Sequence, residues 1–370
     1  MIKQIELHNF KSFTSQSLPL MPLTMFSGLN GMGKSTLLQS LLLLRQSFVD
    51  KSHKRGLVLN GELINIGTAS DALSEAAEED FISFELGWED GQKAHWKYKY
   101  NRDADVLATV SDPVAKATYS KSLFNDDFQY LEAERSGPRT SFPMSDYLVR
   151  HHRQLGAKGQ YTPHFLNTYG SEIVADPLLS HPKAKGNQVN NLVEAWLSEV
   201  SPGTRIHLTP SPTMDIVNLE YSFVSPGQVS KRFRATNVGF GLTYSLPVLT
   251  ALLGSKPGSL VLLENPEAHL HPKGQFKIGE LIARAAASGR QILFETHSDH
   301  VLNGIRLAVH GGIIKPEDVG LYFFDRPMGT TQVVNPKMDR NGRINHWPEN
   351  FFDEWDRSLE ALLEPPGEQP

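Results

Sequence analysis

Apolar positions in the first 26 residues are loosely spaced for short strands, at Ile2, Ile5, Leu7, Phe10, Leu20, Leu23 and Met25. The run Leu23–Phe26 leads straight into a glycine-rich turn. Beyond it the period changes, and Leu37, Leu38, Leu41, Leu42 and Phe48 fall on one stripe of a helix over 35–48. Residues 81–88 and 94–100 alternate with a period of two, which predicts antiparallel strands with one wet face. Residues 128–135 read as another strand running into a loop. From 136 to 187 Pro, Gly, Ser and His are frequent and periodicity is weak, so this stretch reads as an insertion or mobile region. A helix at 191–200 is stopped by Ser201-Pro202-Gly203, strands follow at 204–234, and a helix over about 242–253 ends at Gly254.

The clearest unit comes next. Leu260–Leu263 is a short buried strand. Pro272 opens a helix carrying Phe276, Leu281 and Ile282, Gly289 closes it, and 291–294 is the following strand. A helical crossover of this kind implies a parallel sheet and a right-handed connection. The expected fold class is α/β: a parallel core sheet with helices, an antiparallel β lobe, and a partly irregular, partly helical insertion at roughly 136–200. No internal repeat or sustained heptad is present.

Composition narrows this little. The chain has 370 residues, 39% hydrophobic and 21% charged, as expected of a folded protein of two or three units. It has no cysteine, which excludes disulfides, thiolate metal sites and a cysteine nucleophile. The net charge of −5 means that nucleic acid would have to be met by a local basic patch. The N-terminus lacks the apolar stretch of a signal peptide, and no apolar run is long enough to span a bilayer, so a cytoplasmic protein without membrane partners is expected.

Three local motifs carry chemistry. Gly28-Leu29-Asn30-Gly31-Met32-Gly33-Lys34-Ser35 fits G-x-x-x-x-G-K-[ST]. Glycines let successive amides face a phosphate, and the following helix start adds its positive end. Lys34 is placed for the β and γ phosphates and Ser35 for Mg²⁺, with Asn30, Gly31, Met32, Gly33 and Thr36 completing the ATP loop. The second motif is an apolar strand ending in Glu264, followed by Asn265, Pro266 and Glu267. A buried strand with a terminal carboxylate beside such a loop suits a cation, so Ser35 and Glu264 are the expected Mg²⁺ ligands. His269 and His271 invite a zinc reading, but two histidines at i, i+2 fit a structural role better. The third motif is Glu295-Thr296-His297-Ser298-Asp299. Its Ser, His and Asp are too close in sequence for a hydrolase relay, whereas His297 at the end of a parallel strand stands where open α/β sheets bind ligands.

These motifs, in this order, resemble the ABC-type ATPases of the SMC/RecF/OLD branch. The loop resembles their Walker A, residues 260–272 their Walker B, and ETHSD their switch-histidine motif. Asn237, Gly239 and Gly241, at the entry to a helix, resemble the degenerate signature, which in that branch caps the γ-phosphate of ATP held by the other subunit. Residues 341–353 resemble the G-x-I-x-x-W-P-x-x-F-F-D box of a small C-terminal domain found in stand-alone bacterial ATPases. The resemblance implies an ATPase unit over 1–330, a C-terminal domain over 331–363 and a tail over 364–370. It also implies ATP and Mg²⁺, head-to-tail self-association, and a separate effector such as a nuclease, in anti-phage defence or DNA maintenance. Nucleic acid remains a candidate partner, through His151–Gln154, Lys231, Arg232 and Arg234. One departure matters: where the branch has Asp-Glu, this chain has Glu264-Asn265, and Asn265 cannot act as a base. The expected catalytic set is therefore Glu267 as base, with His297 and Glu264, and slow turnover. Gln129 and Arg135 are the candidates for the Q-loop residue. The alternatives are a DNA-gripping clamp and a nucleotide-gated scaffold without turnover.

Overall fold

The computed structural model describes residues 1–326 and 331–363; the tail expected over 364–370 lies outside them. In chain order the first elements are β1 (Ile2–Phe10), β2 (Phe13–Pro19), β3 (Leu23–Gly28), α1 (Lys34–Val49), β4 (Gly56–Val58) and α2 (Ala69–Ala72). There follow β5 (Phe81–Trp88), β6 (Lys93–Lys99), β7 (Val106–Ala108), β8 (Phe128–Leu131), β9 (Phe142–Pro143), α3 (Thr162–Tyr169) and α4 (Val189–Val200). Then come β10 (Thr204–Ser211), β11 (Ile216–Ser225), β12 (Gln228–Val229), β13 (Phe233–Arg234), α5 (Phe240–Gly254), β14 (Leu260–Glu264) and α6 (Pro272–Ala287). The last are β15 (Gln291–Glu295), α7 (Asp299–His310), β16 (Val319–Asp325), β17 (Gln332–Val334) and α8 (Glu354–Leu363).

A six-stranded sheet of order β17-β16-β3-β15-β14-β8 forms the centre; β17 is antiparallel and every other pairing is parallel. Its strands are apolar on both faces, and alternate residues feed two different cores. Met25, Leu263, Phe294 and Phe323 face one core, with α4, α5, α6 and α7. Phe26, Leu262, Leu293 and Phe324 face the other, with α1 and the antiparallel sheet β2-β1-β5-β6. That is the period-two logic of a strand buried on both sides. A third sheet is built on β11, which pairs with β10, β12, β13 and β9.

The 136–187 region is more ordered than its weak periodicity suggests. It contains β9, α3 and short turns of helix, and Leu155, Phe165, Leu166 and Leu179 are buried in the first core. Neither α7 nor β16 is among the elements the sequence pattern predicts. Yet α7 opens on a Ser298 cap that accepts from the amide of Val301, and it buries Val301, Leu302, Ile305, Ala308 and Val309. No helix among the described residues is long and apolar enough to cross a membrane.

The C-terminal box is packed onto this framework. Phe351 is fully buried, edge-on to Phe323 of β16 at 5.4 Å. Gly342, with φ 73°, lies so close to α7 that a Cβ would meet the Arg306 carbonyl at 2.3 Å. The Arg306 guanidinium returns a hydrogen bond to the Gly342 carbonyl at 2.8 Å and lies over the Trp347 ring. By contrast α8 exposes Trp355, Leu359 and Leu362. Phe351→Ala is expected to cost about 3–5 kcal/mol in urea unfolding, as for other fully buried aromatic truncations; a loss near zero would show that the box adds nothing to the core.

Candidate functional site

The ends of β3, β14 and β15 lie side by side at one edge of the parallel sheet, and α1 begins there. Gly28 ends β3 with φ 140°, so close to β16 that a Cβ would sit 2.2 Å from the Phe324 carbonyl oxygen. Gly33 caps α1 with φ 96°, a conformation that favours glycine. Between them Asn30 and Gly31 are exposed and Met32 packs towards the second core. The Thr36 amide donates to the Gly33 carbonyl at 3.1 Å, which closes the first turn.

Lys34 is buried, and its ammonium folds back on the loop, donating to the carbonyls of Gly28 and Leu29 at 2.9 and 2.8 Å. Burial lowers its pKa, with Glu295 opposing. Phosphate groups would replace these carbonyl contacts with charge-assisted ones. The Ser35 hydroxyl donates to Glu295 Oε2 at 2.7 Å, and Lys34 Nζ lies 3.8 Å from Glu295 Oε1. Glu295 was not among the expected site residues, although it stands at the same strand-end position as Glu264. Glu264 instead accepts the Tyr130 hydroxyl at 2.9 Å and the Ala133 amide at 3.2 Å.

Glu267 is 8% exposed. One of its oxygens accepts the His297 amide at 2.9 Å; the other, Oε2, is buried without a partner. Burial pushes the carboxyls of Glu264, Glu267 and Glu295 upward. His297 projects an exposed side chain, its pKa lowered by partial burial and then by Lys34. It shares a cleft of about 280 Å³ with Gly28, Leu29, Phe323, the box residues Asn350–Asp353 and Glu354 of α8.

Arg135 organises the turn after β14. It is 2% exposed and donates to the carbonyls of Glu132, Tyr244, Glu264 and Asn265 at 2.7–3.1 Å. Burial lowers its pKa to about 10, opposed first by Glu267. It therefore ties α5 to the Glu264–Glu267 turn. Asn265 sits in the left-handed region at φ 43°, and its amide donates to the Glu295 carbonyl. Gln129 does not face the site: its amide group holds the Arg153 carbonyl and the Leu155 amide.

Asn237, Gly239 and Gly241 line a different cleft, of about 290 Å³, with Leu270, His269 and His271. Gly239 caps α5, and at Gly241 a Cβ would meet the His269 carbonyl at 2.8 Å. His271 caps α6 by accepting the Lys273 amide, and His269 packs edge-on against Tyr244. The expected basic patch divides. Arg153 pairs with Glu172 and His152 with Asp126, which ties up those two side chains, whereas His151, Lys231, Arg232 and Arg234 are exposed. No cluster of three or more metal-binding side chains is found among the described residues. A Mg²⁺ ion carried by nucleotide needs only one or two protein oxygens, and the Ser35 hydroxyl, the nearby carboxylates and the orphaned Glu267 Oε2 are hard donors that fit it.

Comparison with known proteins agrees with this layout. Residues 1–120 match the family described as "AAA ATPase domain". Residues 211–303 match "AAA domain, putative AbiEii toxin, Type IV TA system". Residues 314–362 match "Protein of unknown function (DUF3696)". No curated protein matches the chain. Among solved structures, an SMC head bound to the C-winged helix domain of ScpA is similar at TM-score 0.56 and 14% identity, over 92% of this chain and 98% of that one. An Smc head with an extended coiled coil, from Pyrococcus furiosus and bound to the C-terminal domain of ScpA, gives 0.49 and 13% over 98% and 99%. The SMC head domain from Thermotoga maritima gives 0.46 and 14% over 90% and 98%. The chain has the P-loop ATPase fold of the first of these, a mixed sheet with flanking helices.

The raised carboxyl of Glu267 has a sign that can be tested. Below its ordinary value near 4.5 both folded and unfolded chains hold the proton. As pH rises past that value the unfolded chain ionises first, so this group's contribution to stability falls until the folded carboxyl also ionises, then levels off. Glu267→Gln is expected to flatten that part of the fall in a pH series of urea melts; an unchanged slope would contradict the burial argument.

Proposed function

We propose that the chain binds ATP with Mg²⁺ and hydrolyses it slowly to ADP and phosphate, as a switch that pairs with a second copy and controls a separate effector. The observation that carries this is the Gly28–Ser35 loop at the end of β3, with Lys34 and Ser35 at the start of α1. The loop amides from Asn30 to Thr36 and the Lys34 ammonium hold the phosphates, and Ser35 faces the cation beside the acidic strand ends. Glu267 is the base that takes a proton from the attacking water. Its unpartnered Oε2 and its raised pKa, which moves it towards neutrality, favour that role. His297, anchored through its amide to Glu267, faces the γ-phosphate.

A site completed by a second copy accounts for the signature residues. Asn237, Gly239 and Gly241 line a cleft that does not include Lys34 or Ser35, as a group meant for another subunit's nucleotide would. The ATPase unit is read over 1–330 and the C-terminal unit over 331–363. The exposed stripe of α8 and the toxin–antitoxin description of the family matched at 211–303 favour a protein effector, in phage defence. The second reading is a DNA clamp, favoured by the exposed Lys231, Arg232 and Arg234. Salt-sensitive duplex binding would select it.

Phosphate release and molar mass, measured together on wild type, Lys34→Ala and Glu267→Gln, test the proposal. Wild type is expected to turn over and to dimerise on ATP. Lys34→Ala should lose nucleotide affinity, and Glu267→Gln should bind ATP but turn over about 100-fold more slowly or worse. Dimers without phosphate release would replace the ATPase with a nucleotide-gated scaffold, and neither binding nor release would overturn both.

A further inference from the structure

We propose that the cleft between the phosphate loop and the C-terminal box receives Phe240 of a second copy, which makes the box a docking wall for the other copy's signature helix. The inference rests on the reading that two copies pair around nucleotide, and it names the contact the box makes in that pair.

Phe240 opens α5 between Gly239 and Gly241 and is 57% exposed. Its ring is held from behind. It leans on Tyr244, one turn further along α5, at 6.2 Å and on His269 at 5.7 Å, and its outer side is left to water. An aromatic side chain braced on one side and bare on the other suits the anchor role in which interfaces concentrate their energy. Its place in the chain says what it meets. When Asn237, Gly239 and Gly241 approach another copy's nucleotide, the ring between the two glycines arrives at the rim of that copy's phosphate loop.

That rim has room for it. The cleft there holds about 280 Å³, and its lining includes Leu29, Phe323, Phe352 and His297. A cavity of roughly 150 Å³ is enough for a benzene ring. Leu29 is apolar yet 49% exposed, and Phe352 is only partly buried. Each side of the contact thus carries hydrocarbon that its own copy leaves uncovered, and docking removes both from water.

Charge agrees with shape. Asp353 and the exposed Glu354 also line the cleft. Lys231, Arg232 and Arg234 are exposed just upstream of the signature, and Phe233 among them lines the signature cleft with Gly239. An acidic rim meeting a basic strand fixes the orientation of the pair and disfavours apposition of two acidic rims.

The test measures the dimer dissociation constant of full-length protein by sedimentation, with Mg²⁺ and a saturating non-hydrolysable ATP analogue. A two-fold pair makes the contact twice, so Phe240→Ala and Phe352→Ala should each raise the constant at least about tenfold. The double variant should raise it by less than the product of the two, because one contact is lost only once. In dilute protein, where the chain is monomeric, Phe240→Ala should bind the analogue as wild type does. A wild-type dimer constant in Phe240→Ala, or fully multiplicative effects in the double variant, would overturn the contact and leave pairing itself standing. Failure of the wild type to dimerise with the analogue bound would sink the pairing reading and this contact with it. If Phe352→Ala does not fold, the absence of cysteine gives a second route. Phe240→Cys and Glu354→Cys proteins, mixed at concentrations where sedimentation shows a dimer, should be joined by a short bismaleimide, and neither should cross-link alone. A dimer that fails to cross-link counts against the proposal.

Discussion

A parallel sheet covered on both faces has little room for polar chemistry along its strands, so the strand ends must carry it. In this chain alternate residues of β3, β14 and β15 enter two cores, one under α4–α7 and one under α1 and the antiparallel sheet. A charge in mid-strand would meet hydrocarbon on either side, at a cost no isolated ion survives. At the ends the constraint lifts within one residue. Gly28, Glu264 and Glu295 follow directly on Ser27, Leu263 and Phe294, all at most 1% exposed. The register of the pairs then fixes which groups meet: Glu264 beside Glu295, and Glu295 beside the strand that leads into the Gly28–Ser35 loop.

That edge holds one buried cation whose role is architectural. Arg135 is almost sealed from solvent, yet its contacts are carbonyls, one at the end of β14, one in the turn after it and one on α5. A buried guanidinium is costly unless its donors are matched, and here each carbonyl end supplies part of the match. The consequence is mechanical. The helix that begins with Gly239 and Gly241 cannot shift against the Glu264–Glu267 turn without breaking these bonds. Glu267 in turn accepts the His297 amide. A continuous path of hydrogen bonds and backbone thus runs from α5 through Arg135 to the turn that carries Glu267, and from there to the exposed histidine.

What the sequence made legible was local. The glycine loop, the helix after it, the strand at 260–263 and the βαβ unit around α6 are written in consecutive residues, and each lies where the pattern places it. What it hid was long-range. Ser35 and Glu295 are 260 positions apart, and their hydrogen bond follows from strand order, which no spacing reveals. Arg135 reads as one loop arginine among others until its acceptors, up to 130 positions away, are seen. Gln129 was a candidate for the site because of its residue type, but its amide is committed to the 153–155 backbone. The 136–187 stretch looked irregular because its helices are too short to show a period, although their apolar residues are in the core. α7 was legible in principle: a Ser298 cap precedes Val301, Leu302, Ile305, Ala308 and Val309.

The C-terminal box draws the two kinds of information together. Its sequence is distinctive, but sequence alone does not say what the box touches. Phe351 is locked against Phe323 and Trp347, between two residues in the left-handed region, Asn350 at φ 65° and Phe352 at φ 57°. An aromatic residue is rarely found there, because its Cβ crowds the backbone, and it stays only where surrounding contacts over-determine it. The buried ring and the Asp353 carboxylate accepting the Asn350 amide are such contacts. The turn they fix borders the same cleft as Gly28, Leu29 and His297. The box is therefore seated on the core strand β16 and forms one wall of the cleft that Gly28 and Leu29 also line. A group entering that cleft meets the loop, the histidine and the box at once, and the box cannot be moved from it without unpacking Phe351.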